Sequence, residues 1–169
     1  MKKIIIFIGA VIVLILGYWF ISPFFIDKRI SEDLPTANAV PQNSDTATTS
    51  DVQIQRTVDT VSQVQDIKKG TFTGFDRIHT GSGTARVVTV GDAAYIRFEE
   101  DFTVNNGPDL YVGLGKNGNY VKGSELGKLK GTIGSQNYKL PDNIRPTDVE
   151  EVWVWCKAFS VPFAKAIFK

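Results

Sequence analysis

From Gly70 onward the chain is divided by glycine, asparagine, aspartate and proline into short runs, and in each run apolar or aromatic residues alternate with polar ones. The runs fall at residues 71–75, 84–90, 93–98, 109–114, 135–140 and 149–156. A period of two puts successive side chains on opposite faces of a strand, whereas an amphipathic helix needs a period near 3.6. The predicted fold class is therefore all-β, a small antiparallel β-sandwich or barrel-like domain. In the run 84–90, Ala85, Val87 and Thr89 share one face and Arg86, Val88 and Val90 the other, so both faces are expected to be partly covered. Asn105-Asn106-Gly107-Pro108 and Asn117-Gly118-Asn119 suit tight reversals, because Asn and Gly accept positive φ at low cost. One short helix is expected, over residues 159–168, with Pro162 in its first turn and Phe163, Ala166 and Ile167 forming an apolar stripe.

Ahead of this domain, residues 4–21 form an uncharged run of eighteen, and continuing to Ile26 gives about the ~20 residues a helix needs to cross a bilayer. Lys2 and Lys3 precede the run, Asp27, Lys28 and Arg29 follow it, and Tyr18 and Trp19 stand near its outer end, where amphipathic rings favour the headgroup layer. The expectation is a transmembrane anchor over residues 1–29, with the lipid bilayer as partner through residues 4–26. Lys28 and Arg29 nearly cancel the charge contrast across the span, so two topologies compete; the lysine pair favours a cytoplasmic N-terminus and an extracytoplasmic C-terminal domain. No small-x-small cleavage pattern and no cysteine for lipidation follow the run, which makes it an uncleaved anchor in the cell membrane. Residues 30–55 are assigned to a flexible linker and 56–169 to the domain. The stretch 31–51 is rich in Ser, Thr, Asn and Asp and has no aromatic, so it is expected to be a flexible or extended spacer that sets distance from the bilayer. Residues 52–69 read equally as strand or weak helix, their second half as an ordered lead-in.

A net charge of +1 leaves no footprint for nucleic acid. Cys156 and His79 are each the sole member of their type, which excludes an intrachain disulfide and a Cys/His zinc site. In the run Val152-Trp153-Val154-Trp155-Cys156, the valines and the cysteine share one strand face and the tryptophans the other. Cys156 is then either a small buried hydrophobe or a redox or ligating thiol, and the tryptophans are either core or an exposed binding ridge. His79, in the turn Arg77-Ile78-His79-Thr80-Gly81-Ser82-Gly83, fits an axial ligand, a proton acceptor for a thiolate, or a residue that fixes its loop. Gly81-Ser82-Gly83 lacks the lysine and the strand-to-helix context of a phosphate loop, and a hairpin turn accounts for it. Asp101, Asp109 and Asp142 stand beside turns without the regular oxygen-ligand spacing of a calcium loop. No serine has the setting of a hydrolase nucleophile.

The order of several motifs carries a resemblance. Gly70-x-Phe72-x-Gly74-Phe75 is followed by His79-x-Gly81-x-Gly83-Thr84-Ala85, Asp101-Phe102 and Asn106-Gly107-Pro108-Asp109-Leu110-Tyr111-Val112. Then come Leu126-Gly127-x-Leu129-Lys130-Gly131-x-x-Gly134-Ser135-Gln136-x-Tyr138-x-Leu140-Pro141 and Val152-x-Val154-Trp155-Cys156-x-x-Phe159-x-x-x-Phe163-x-x-Ala166. This succession, over about residues 70–168, resembles the Skeletor-type DM13 electron-transfer domain. The resemblance implies a small extracytoplasmic β domain whose characteristic cysteine, here Cys156, acts as a redox thiol or as the attachment point of a prosthetic group such as haem. It also implies a redox partner protein and, in bacteria, a domain standing alone behind an anchor at the cell surface. If iron were bound, His79 would be the conventional side-chain partner of Cys156, because Met1 is the only methionine.

The function expected is thus a membrane-anchored electron-transfer or thiol-redox domain, with Cys156 and His79 as candidate catalytic and cofactor-binding residues. The alternative is a non-enzymatic surface interaction or ligand-binding module in which Cys156 is structural. A third reading, a carbohydrate- or calcium-binding sandwich, would use the loops at 106–109 or at Asp142.

Overall fold

The computed structural model describes residues 27–35 and 64–169, together with Val11. Apart from Val11, the expected span over residues 4–26 lies outside the described residues, as do residues 36–63; among the described residues no helix is long and apolar enough to cross a membrane.

The all-β expectation holds. Among the described residues there are eleven strands: β1 (Val64–Gly74), β2 (Gly81–Ser82), β3 (Thr84–Val90), β4 (Ala93–Phe98), β5 (Thr103–Val104), β6 (Leu110–Lys116), β7 (Asn119–Tyr120), β8 (Gly127–Lys128), β9 (Gln136–Lys139), β10 (Glu151–Cys156) and β11 (Val161–Phe168). Nine of them form one antiparallel sheet in the order β7-β6-β10-β11-β1-β3-β4-β9, with β8 also on β6, while β2 and β5 pair separately. Residues from strands near both ends of this order, such as Val112, Leu114 and Tyr138, meet in one core with Val87, Ile96 and Val154. A single sheet can share one interior across its width only by curling, so the domain is a half-barrel with its core on the concave face. Phe72, Phe98 and Phe102 form a triangle of ring contacts at 4.6–4.9 Å there, each pair contributing about 0.5–1.5 kcal/mol beyond its buried area. The ribbon of β2 and β5 lies over this face, with Gly81 so close to Ala164 that a β-carbon on Gly81 would strike the alanine methyl.

The alternating sequence maps onto the faces as the period of two requires. Ala85 and Val87 of β3 enter the core, and Val88 and Val90 are buried on the opposite side. Val152, Val154 and Cys156 of β10 face inward, while Glu151, Trp153 and Trp155 share the outer face. Positive φ at Asn117 (52°) and Gly118 (77°) closes the hairpin between β6 and β7.

Residues 159–168 correct the expected helix. They contain β11, which pairs with β10 on one side and β1 on the other and so supplies ladder partners along both edges. An isolated helix of that length would leave most of its terminal backbone groups unpaired. The i, i+3, i+4 spacing of Phe163, Ala166 and Ile167 arises differently: the register slips between Val154 and Trp155, near Pro162, so Phe163 and Ala164 are both buried, and Ile167 is half exposed. Proline is tolerated because a bulge relaxes the demand for a ladder N–H. Of the lead-in, residues 64–69 belong to β1, and residues 52–63 lie outside the described residues.

Residues 27–35, at the join of expected anchor and spacer, run extended along the domain. Arg29 bridges Ile133 in parallel, the Ile30 amide donates to the Ile133 carbonyl at 2.9 Å, the Ile133 amide to the Lys28 carbonyl at 3.3 Å, and the Glu32 amide to the Ser135 carbonyl at 2.9 Å. Gly131 and Gly134 make room for this strap, because a β-carbon on either would collide with the Lys28 or Ile30 carbonyl. Glu32 locks it. Its carboxylate accepts from Lys130 Nζ at 2.8 and 2.9 Å and from the Asn137 amide at 2.8 Å, while its carbonyl accepts from buried Arg97 at 2.9 Å. Burial pushes the Glu32 carboxyl up, but Lys130 and Asn137 together hold it below its ordinary value. The receiving loop is fixed from beneath by fully buried Gln136, whose amide oxygen accepts from Tyr138 Oη at 2.6 Å and from the Lys130 and Gly131 amides at 3.2 Å.

Candidate functional site

Cys156 ends β10, and its side chain joins the core cluster with 1% of its surface exposed. Its ladder partners are Leu110 of β6 and Val161 of β11. Leu110 also lines the outside world: it forms part of the wall of a cleft of about 480 Å³, built by Asp27 and Lys28 of the strap, residues 106–110, and residues 128–132. Cys156 does not line this cleft. Cys156 is thus the strand neighbour of a cleft residue without lining the cleft itself.

His79 stands elsewhere in the bonding network. Asp76 accepts from the Ile78 and His79 amides at 2.7 Å and meets His79 Nδ1 at 2.7 Å, closing the loop after β1. The His79 ring, followed by the His79 and Ile78 amides, holds the Asp76 carboxyl down at about 2. The other contact of the imidazole is edge-on to Phe163, at 4.6 Å between centroids. Thr80 and Asn105 pin the same loop by a side-chain hydrogen bond, and Asn105 Nδ2 donates to the Ile78 carbonyl at 2.8 Å. No hydrogen bond joins His79 to Cys156. The hydrogen bond that His79 makes through Nδ1 is to Asp76 of its own loop.

The other sequence candidates are likewise separate. Asp101 accepts from the Thr84 amide at 2.9 Å and from Thr84 Oγ1 at 2.8 Å; Asp109 lies 3.4 Å from Lys128 Nζ; Asp142 lies 3.2 Å from Lys139 Nζ. Among the described residues no group of three His, Cys, Asp or Glu side chains is placed to hold a metal ion. Gly81 and Ser82 form β2, and Gly83 takes φ 107° beside Phe102, so the glycines serve a turn. Nor does the neighbourhood of Cys156 fit a haem. A sulfur 1% exposed in a filled interior leaves no space for a macrocycle beside it, and His79 is held by Asp76 and Phe163.

Sequence reading missed the cleft's basic side chains, Lys28, Lys128 and Lys130, because no spacing rule links residues about a hundred positions apart. It also left the outer face of β10 open between core and ridge, and the structure divides it. Trp153 is buried, Trp155 is half-buried, and Tyr120 stacks flat on Trp155 at 4.6 Å and 6°. Trp153 Nε1 donates to Glu151 Oε2 at 2.7 Å, and Glu151 Oε1 accepts from the Gly118 amide at 2.6 Å, so the buried carboxylate is matched by donors from its own face. Burial, reinforced by the Glu125 carboxylate, pushes the Tyr120 hydroxyl up to about 12; its oxygen is sealed from water without a well-formed hydrogen bond, although Ser124 and Glu125 lie close.

No curated protein and no solved structure matches the chain. The family model described as "Electron transfer DM13" does match, over residues 71–168, which takes in every strand from the body of β1 to the end of β11 and includes both Cys156 and His79. The match spans more than half of the chain, and the chain belongs to the DM13 electron transfer family.

Proposed function

We propose that this chain is a membrane-anchored, extracytoplasmic DM13 domain with a redox role, and that Cys156 is its redox-active group, reached when the wall at Leu110 opens. The observation that supports this reading is that one residue, Leu110, is both a ladder partner of Cys156 and a lining residue of the cleft described above. A single cysteine cannot form a disulfide within the chain, so the chemistry is exchange with a partner protein. The Cys156 thiolate attacks one sulfur of the partner's disulfide, a mixed S–S bond forms, and the other partner sulfur leaves as a thiolate. The proton of Cys156 passes to solvent through the opened cleft. The anchor is the uncharged run of residues 4–21 with its flanking lysines and aromatic residues.

The test is native thiol modification by a small reagent, read by intact mass, in the unsubstituted chain and in Leu110→Ala. Modification slower than that of an exposed thiol, and accelerated several-fold by Leu110→Ala, is the expected result. Modification only at the rate of global unfolding, equal in both proteins, would overturn it. One observation favours a second reading, a module in which Cys156 is structural: the 1% exposure of Cys156 within an otherwise apolar cluster. Under that reading Cys156→Ala lowers stability and leaves electron transfer to a partner unchanged.

A further inference from the structure

The strap changes what the linker can do. The uncharged run ends at Ile26, and among the described residues the next one, Asp27, already meets the domain, its carboxylate accepting from Thr132 Oγ1 at 3.3 Å. Lys28 follows at once, its amide donating to Thr132 Oγ1 at 3.0 Å. A residue spans at most ~3.6 Å of extended chain, so Thr132 stands within roughly 10 Å of the point where the apolar run ends. The family match begins only at residue 71, which makes the strap an addition outside the matched domain. The strap at residues 27–35 meets the domain ahead of the stretch 36–63, so that stretch does not set the distance between residue 26 and the domain.

The surface nearest that point is basic. Lys28 and Arg29 are exposed, and Lys128 and Lys157 flank Tyr111, at 5.8 and 4.9 Å from its ring centroid. The acids there are Asp27, exposed Asp33, Asp109 beside Lys128 and Glu32 paired with Lys130, which leaves Lys28, Arg29 and Lys157 as cations with no ion pair among the described residues. A tyrosine between lysines, beside the end of an apolar run, has the composition of a bilayer–water interface. Resting on the anchor assigned under the proposed function, we infer that residues 27–35 clamp the domain directly onto the outer leaflet, with the cleft at Leu110 opening on anionic phospholipid headgroups that meet Lys28, Arg29, Lys128 and Lys157.

The experiment uses the full chain in phosphatidylcholine vesicles with a headgroup-spin-labelled lipid. A fluorophore is placed at Lys128→Cys, beside the cleft, or at Lys116→Cys, at the other end of β6 and ~20 Å away along the strand. The unsubstituted chain, with Cys156 buried, sets the labelling background. Quenching several-fold stronger at position 128 than at 116, reduced by Glu32→Ala, is expected. Replacing part of the phosphatidylcholine by phosphatidylglycerol is expected to raise the thermal midpoint, and Lys28→Gln with Lys157→Gln to abolish that rise. Equal quenching at the two positions in a chain that resists alkaline extraction would overturn the clamp alone, and a midpoint indifferent to phosphatidylglycerol would overturn the headgroup contact. Release of the unsubstituted chain by alkaline extraction would instead overturn the anchor on which both stand.

Discussion

Trp153 shows how one side chain can satisfy another and exclude a third. Its indole donates to buried Glu151, and it lies so close over Gly115 that a β-carbon there would collide with Nε1. Trp153→Phe should therefore destabilise the domain by about 2–4 kcal/mol in denaturant titration, combining a cavity with a buried carboxylate oxygen that has lost its donor. Gly115→Ala should be comparably harmful, although the residue lies in an ordinary strand and gains only a methyl group. The alternation of β10 was legible in the sequence to the level of face: Val152, Val154 and Cys156 inward, the tryptophans outward. What covers the outer face was not legible, because Tyr120 reaches Trp155 from a hairpin more than thirty positions earlier in the chain. The roles of Cys156 and His79 also divide here. The sequence marks both as singular, but singularity carries no information on whether an imidazole is already held by Asp76.

The strap and β11 are the two elements whose packing was not disclosed by composition, for different reasons. In β11 the apolar spacing imitated a helix because a bulge turned two consecutive residues inward. In the strap there is little apolar surface to detect; docking rests on backbone ladder bonds and on side-chain hydrogen bonds, chiefly those to Glu32. Glu32→Ala should lower stability by about 1–2 kcal/mol, allowing for the partial exposure of the Lys130 pair. It should also raise amide hydrogen exchange at Ile30 and Glu32 well before β1 is affected. The pH dependence follows from the depressed carboxyl. Stability from a carboxylate with a lowered folded value is fully present above its ordinary pKa, about 4.5, and is lost as pH falls through the folded value. Acidification below about 4.5 should accordingly release residues 27–35, detected as faster exchange at Ile30, and Glu32→Gln should remove that transition.

Across the molecule, one sheet does the work of two layers by curling, and its first and last strands lie side by side: the Lys169 amide donates to the Lys69 carbonyl at 3.0 Å, and Gly70 faces Phe168. The interior of the sheet order, β10, β11, β1 and β3, should show the slowest hydrogen exchange, and the edges β7 and β9 the fastest among the named strands of the sheet, in a native-state exchange series. The longer strands apart from β11, and the turn after β6, were readable from the period of two and from the Asn and Gly spacing. The order of strands was not, because pairing β6 with β10 and β1 with β11 joins segments far apart in sequence and depends on which edges meet during closure. The strap has one more consequence, for the covalent chain. Because residues 27–35 are bound to the domain by their own contacts, a peptide bond cut engineered between residues 35 and 64 would leave two polypeptides that remain associated. With the anchor proposed above, the severed domain should stay in the vesicle pellet at neutral pH and be released more readily once Glu32 is protonated, so a single proteolytic event would make that attachment acid-sensitive.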